Sequence, residues 1–232
     1  MSAFFGTTTA LSFSTPSMHA LYPGPAMLEG ITWFRQSSVR IRRGGIEMHV
    51  DPWGISEDSS ADYILVTHPH YDNFSEDDIA RVRGADTIVI APASMRKQLA
   101  DVDHLMRPGD MVHLDGIEIL AVPAYNRGKK FHPLASAWLG YVFTIDGTTY
   151  YHAGDTDYLD GMNQIRCDVA FLPCEGSYTM GPEDAARAAE ACKAELVIPV
   201  HWGGPVGTRE DAERLKDLFS GRVEILEQGL PS

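Results

Sequence analysis

Tyr63-Ile64-Leu65-Val66-Thr67-His68-Pro69-His70-Tyr71-Asp72-Asn73-Phe74 decides how this chain is read. The apolar run Tyr63 to Val66 is short, β-branched at Ile64 and Val66, and reads as a buried strand. The loop that follows carries two histidines at i and i+2 and an acid two residues further on. Imidazole is the commonest protein ligand for zinc and iron, and a carboxylate adds the hard oxygen donor such sites use. A lone His-x-His arises on surface loops by chance; His-x-His-x-Asp at the end of a strand is far more specific. Helix capping is the bland alternative, but Ser75, with Glu76, Asp77 and Asp78 behind it, already fits an N-cap with an acid at the third helical position.

Three further strand ends carry residues of the same chemistry. The apolar run Leu139 to Ile145 and an Asp146-Gly147 hairpin turn lead to Tyr150-Tyr151-His152-Ala153-Gly154-Asp155-Thr156. The buried run Leu196 to Val200 ends in His201-Trp202-Gly203-Gly204. Between them and the first motif, Val122-Pro123-Ala124-Tyr125-Asn126 is followed by Lys130-Phe131-His132-Pro133. Each block ends a strand with His, Asp or Asn, which is how a metal centre is assembled from distant sequence. Taken singly, His201 also fits a buried histidine bonded to backbone, and Asp155 also fits turn chemistry in Gly-Asp-Thr. His152, on the same strand end as Asp155, reads as support behind the ligands rather than a ligand. His19, His49, His104 and His113 belong to no constellation and read as structural or surface residues.

With these motifs in view, the chain resembles the metallo-β-lactamase-fold hydrolases, and more closely their small ascorbate-phosphate-lactonase-like branch, over residues 29 to 226. Asp51-Pro52-Trp53, His68, His70, Asp72, Gly154-Asp155-Thr156 and His201 carry the likeness. The resemblance implies an α/β fold, the four-layer αββα sandwich of two mixed β-sheets with flanking helices. It also implies one or two divalent ions, zinc first and manganese or iron as alternatives. His68 and His70 would hold one ion with a third histidine, Asp72 and His201 the other, and Asp155 would bridge them. Two positions depart from the family pattern. Asn73 stands where a histidine completes the first motif, and a neutral amide oxygen is the weaker donor. Asn126 stands near the place of the third histidine; His132 is the nearest substitute and is expected to reach back to the first ion.

A divalent metal lowers the pKa of bound water from 15.7 to about 7, and paired ions about 3.5–4 Å apart share the resulting hydroxide. The implied activity is hydrolysis of a small ester, lactone, phosphodiester or amide by a metal-held, bridging hydroxide. Asp72 would position that hydroxide and move its proton. Tyr125, Tyr178 and Trp202 are candidate substrate-lining aromatics. The alternative from another class is a metal- or ligand-binding protein without turnover, motivated by Asn73 and Asn126. Redox use of a di-iron centre ranks below both, because no flavin domain is appended.

Composition bounds the partners. With 32 acids against 19 Lys and Arg the net charge is −13, which argues against a nucleic-acid binder. Arg127, Lys129 and Lys130 form a basic cluster beside the proposed site, equally consistent with an anion-binding lip and a solvated loop. Cys167, Cys174 and Cys192 are odd in number and lack a C-x-x-C, which suggests a reducing, cytoplasmic setting. Cys174 ends the strand Val169 to Pro173 and reads as a small buried thiol. No run reaches membrane-span length, so no membrane is expected. The partners expected are a small-molecule substrate and, as a further candidate, a second copy of the chain.

Residues 1–28 are rich in Ser, Thr, Pro and Gly, contain no Asp, Glu, Lys or Arg, and read as a loose uncharged arm. Residues 29–232 read as a single domain. Its order opens with strands over Ile31 to Phe34, Ser38 to Ile41 and Ile46 to Val50. Helices are expected over Asp77 to Val82 and Pro92 to Leu99, flanking a strand over Thr87 to Ile90. Strands return over Met111 to Leu114, Ile117 to Val122, Trp138 to Ile145 and Thr148 to His152. Pro182 to Lys193 and Arg209 to Phe219 close the pattern as helices.

Overall fold

The computed structural model describes residues 27–229. Six strands form the first sheet in chain order. Strands β1 (Ile31–Arg35), β2 (Ser38–Arg43) and β3 (Ile46–Val50) make an antiparallel meander. Strands β4 (Ala61–Leu65), β5 (Arg83–Pro92) and β6 (His104–Met106) continue it in parallel. The second sheet begins with the antiparallel β7 (Met111–Leu114), β8 (Ile117–Ala124), β9 (Trp138–Ile145) and β10 (Thr148–His152). It ends with the parallel β11 (Val169–Pro173), β12 (Leu196–Val200) and β13 (Arg222–Val223).

Strand β4 shows why the sheets stack. Its side chains alternate between faces with period two. Tyr63 and Leu65 enter the core between the sheets, with Trp33, Met48, Tyr141, Phe143 and Phe171. Ile64 and Val66 face the opposite side, where Ile79 and Val82 of α1 (Glu76–Val82) cover them. Ser75 caps α1, its hydroxyl accepting from the Asp78 amide at 3.1 Å. Helices α2 (Pro182–Cys192) and α3 (Arg209–Leu218) pack on each other and on the parallel half of the second sheet. The αββα order follows: one helix layer, two sheets, a second helix layer.

Three expectations need correction. The helix expected over Pro92 to Leu99 is a single 3-10 turn, Ala93–Met95, and Pro92 itself still belongs to β5, where it pairs with Met106 of β6. Strand β5 runs well beyond Thr87 to Ile90 at both ends, and β6 and β13 are strands the sequence pattern missed. At two and three residues, β13 and β6 are too short to show periodicity. The proposed arm lies outside the described residues except for its last two: Met27 and Leu28 pack against the inter-sheet core. Among the described residues, no helix is long and apolar enough to cross a membrane.

At one edge of the sandwich the two sheets are tied by polar contacts. The Leu139 amide donates to the Thr67 carbonyl at 3.2 Å and the His201 amide to the Gln36 carbonyl at 2.8 Å. The buried Tyr141 hydroxyl donates to the Val66 carbonyl at 2.7 Å. The C-terminal ends of β3, β4, β10 and β12 all open onto this edge.

Candidate metal centre

Strand β4 delivers His68, His70 and Asp72 to that edge, β10 delivers Asp155, β12 delivers His201, and the β8–β9 connection delivers His132. His68, His70, His132 and Asp155 each offer a ligand atom, and these atoms all lie within 4.8 Å of one another. Asp155 is the centre of the set. Its Oδ2 lies 3.4 Å from His68 Nε2, 3.2 Å from His132 Nε2 and 3.0 Å from His201 Nε2. His132 Nε2 is also 3.0 Å from His70 Nδ1. On the far side of His201, Asp72 Oδ2 lies 3.8 Å from its Nε2. Two donor groups thus share one carboxylate: His68, His70 and His132 on one side, Asp72 and His201 on the other.

The donors fit a divalent cation. His68 Nε2 and His201 Nε2 are buried without a hydrogen-bond partner, as is Asn73 Oδ1. Buried nitrogen and oxygen atoms left unpaired are costly unless a ligand completes them. Imidazole nitrogens around a carboxylate suit zinc, iron or manganese.

A relay behind His68 orients it. Asp51, at the end of β3, accepts from the Thr67 amide at 2.7 Å and stands 2.6 Å from Thr67 Oγ1. Thr67 Oγ1 in turn lies 2.8 Å from His68 Nδ1. With Asp51 ionised, Thr67 donates to it and accepts from Nδ1–H, leaving the Nε2 lone pair free for a cation. Burial pushes the Asp51 carboxyl well up, the Thr67 hydrogen bonds oppose this, and the Asp155 and Asp72 charges add to it. Cations offsetting those two charges therefore favour the ionised, ligand-orienting state.

The remaining titrations follow from the same crowding. Burial alone would raise the Asp155 carboxyl, but the facing imidazoles hold it well below the usual carboxylate range. Burial disfavours charge on His201, yet Asp155 and Asp72 outweigh it and raise that imidazole to about 9. Burial and the neighbouring imidazoles of His68 and His132 lower His70 to about 4.

Local backbone holds two of the histidines in unusual conformations. His132 and His201 have φ of 59° and 58°. Such left-handed residues persist only where their surroundings hold them. The Asn126 amide donates to the His132 carbonyl at 2.7 Å, and the Asn126 side-chain amide reaches His132 Nδ1 at 3.1 Å and the carbonyls of Phe131 and Tyr178. Asn126 therefore clamps the His132 loop. Asn73 is fully buried, with Nδ2 3.5 Å from Asp155 Oδ2, so it lies beside the shared carboxylate. His152 is a support: its Nε2 donates to the Ser37 carbonyl at 2.8 Å and its Nδ1 accepts from the Gly154 amide at 3.2 Å. Burial lowers it to about 4, so it is neutral.

The aromatic residues divide. Trp202 stacks on Trp33 at 4.5 Å, donates to the Pro199 carbonyl and packs in the core. Tyr125 is half-buried, its amide donating to Thr156 Oγ1. Tyr178 is exposed, with its ring 5.4 Å from Phe131. Phe131 and Trp138 were missed by the sequence reading. Trp138 stands 5.0 Å from His68, 4.8 Å from His70 and 5.5 Å from His132, ring centre to ring centre. Asp51 was noted only as a family match and Ser37 not at all; Ser37 Oγ donates to Asp155 Oδ1 at 3.4 Å. A hairpin turn serine carries no signal of its own, whereas the aromatics flanking His132 do.

Comparison with known proteins agrees with this architecture. The family model described as the beta-lactamase superfamily domain matches residues 30–201. A UPF0173 metal-dependent hydrolase of Thermococcus kodakarensis is 34% identical over 73% of this chain and 80% of its own length. One from Geobacillus sp. is 33% identical over 86% of this chain and 97% of its own. A solved protein from Parabacteroides distasonis is 32% identical and superposes with a TM-score of 0.76, covering 85% of this chain and 92% of that one. A fold with its sheets, strand ends and matched span in common leaves one assignment: this chain belongs to the beta-lactamase superfamily.

Proposed function

We propose that this protein is a metal-dependent hydrolase that cleaves a small ester, lactone, phosphodiester or amide. The observation that carries the reading is the shared position of Asp155 Oδ2, within 3.4 Å of imidazole nitrogens from the ends of β4 and β12 and from the β8–β9 connection. The relatives matched over 73% and 86% of the chain are named metal-dependent hydrolases, which supports the same class.

His68, His70, His132 and Asp155 would hold one cation, and Asp72, His201 and Asp155 a second, zinc being the ion these donors suit first. When bound, divalent ions supply an acidified water as nucleophile and positive charge where charge develops on the scissile group. The chain's own residues do the rest. Asp155 keeps the two donor groups together, with Ser37 Oγ fixing its second oxygen. Asp72, 3.8 Å from His201 Nε2, would take the proton released by the attacking water and return it to the leaving group. The Asp51–Thr67–His68 relay and the Asn126 clamp hold the imidazoles still while this occurs.

A binding-only protein is the second reading, motivated by Asn73 beside Asp155. Asn73→His separates the two. In a hydrolase that tolerates a weaker donor, wild type already turns over substrate and the variant binds its second ion more tightly. In a binding protein neither form hydrolyses any of the four bond classes at full metal occupancy, and that result would remove the proposed activity.

A further inference from the structure

Among the described residues, five large apolar side chains are strongly exposed: Tyr71, Phe131, Leu134, Tyr178 and Leu218. Four of them are not scattered. Tyr71 follows His70 in the chain, Phe131 precedes His132, and Leu134 follows it by two residues. Tyr178 stacks obliquely against Phe131 at 5.4 Å and offers its carbonyl to Asn126. Phe131 also meets the His70 ring edge-on at 6.1 Å, and half-buried Trp138 stands against His68 and His70. Phe131 and Trp138 therefore adjoin the histidine set directly, Tyr178 packs on Phe131, and exposed Tyr71 and Leu134 lie one and two residues from its ligands in the chain. Clustered exposed apolar surface marks a binding site, whereas single exposed residues need no explanation.

The charges beside these residues point the same way. Of the three cations in the Arg127–Lys130 segment, Arg127 pairs with Asp160 at 3.3 Å and Lys129 with Asp157 at 2.7 Å. Lys129 also donates to the Thr179 carbonyl. Lys130 lies over the Phe131 ring at 5.3 Å. Two of the segment's three cations are thus already paired within the chain, and the third, Lys130, rests on the Phe131 ring, so a substrate with a permanent negative charge would find few cations here to receive it.

We propose that the substrate is an uncharged acyl compound, an ester, thioester or lactone, whose apolar acyl or aryl group rests on Phe131, Leu134, Tyr71 and Tyr178. The proposal rests on the hydrolase reading and narrows it. In the reaction the acyl carbon–heteroatom bond breaks, water supplies hydroxyl to the acyl carbon, and its proton goes to the leaving alcohol or thiol.

The test is a kcat/KM series on zinc-loaded protein with p-nitrophenyl acetate, butyrate and hexanoate, set beside bis(p-nitrophenyl) phosphate. Burial of each added methylene against these apolar side chains predicts a rise of about two- to fourfold per methylene, with the phosphodiester slower than every ester. Phe131→Ala and Leu134→Ala should each flatten the chain-length slope, Phe131→Leu should retain most of it, and Leu218→Ala on α3 should leave it unchanged. A flat slope in wild type, or a phosphodiester cleaved faster than the esters, overturns the acyl proposal while leaving the hydrolase reading intact. No turnover of any of the four at full metal occupancy overturns the acyl proposal, and if a lactone and an amide are also left intact the hydrolase reading falls with it.

Discussion

His201 Nε2 lies 3.0 Å from Asp155 Oδ2, joining the end of β12 to the end of β10 at the point where both donor groups meet. This contact explains why a single carboxylate governs the centre. It also explains why His201 is raised to about 9: burial opposes a charged ring, and the two facing carboxylates overcome it. A proton and a divalent cation compete for the same nitrogen.

Removing a ligand should therefore remove metal before it removes the fold. His68→Ala and His201→Ala are expected to fall from about two ions per chain to one or fewer, with near-native circular dichroism. Elemental mass spectrometry on protein purified without chelator measures this. Unchanged occupancy in either variant contradicts the ligand assignment.

The Asp51 relay carries its own prediction. Asp51→Asn puts an amide where Thr67 needs an acceptor, and so disturbs the tautomer of His68. Losing such an outer partner typically weakens metal binding about 10–100-fold. Competition titration against a coloured chelator gives the affinity, and a change under twofold would show that the relay does not orient His68.

Gly154 tests the backbone that aims Asp155. Its φ is +65°, and an added Cβ would sit 2.7 Å from the Leu139 carbonyl oxygen. Gly154→Ala should cost about 1–2 kcal/mol from the left-handed backbone and more from the clash with the Leu139 carbonyl, read by urea denaturation. It should also lower metal affinity by displacing Asp155. A variant as stable as wild type would contradict the fitted turn.

Acid should destabilise the fold through buried neutral histidine. His152 titrates at about 4 in the native protein, against about 6.5 unfolded. Between those values the unfolded chain binds the extra proton, so stability is full above pH ~6.5 and is lost as pH falls toward 4. The effect is on the order of 3 kcal/mol for this one group, and His49, lowered chiefly by burial, acts in the same direction. Denaturation midpoints at pH 7 and pH 4.5 measure it. His152→Gln, which can still donate to the Ser37 carbonyl, should reduce the dependence; an unchanged slope would exclude His152 as its source.

Much of this was legible in the sequence because the informative residues sit beside strands with clear periodicity. His68, His70 and Asp72 follow β4, Asp155 follows β10, and His201 follows β12, so a buried run announces each. His132 was placed by its distance from Asn126, and the structure brings it to His70 and Asp155. What escaped reading depends on tertiary approach. Asp51, Thr67 and Ser37 act through contacts across strands that no local spacing encodes. Trp202 has the composition of a site aromatic but is drawn inward by Trp33. The Pro92 to Leu99 segment has helical residue types, yet Pro92 ends β5 and only Ala93–Met95 forms a helical turn.

The central claim is metal-dependent hydrolysis at the Asp155-centred site, and one titration tests it most directly. Chelator-stripped protein is returned to zinc in steps while the hydrolysis of p-nitrophenyl butyrate is followed. The account predicts negligible rate without metal, and a rate that climbs and saturates near two equivalents per chain. Full activity in stripped protein, or no activity at saturation, would contradict it.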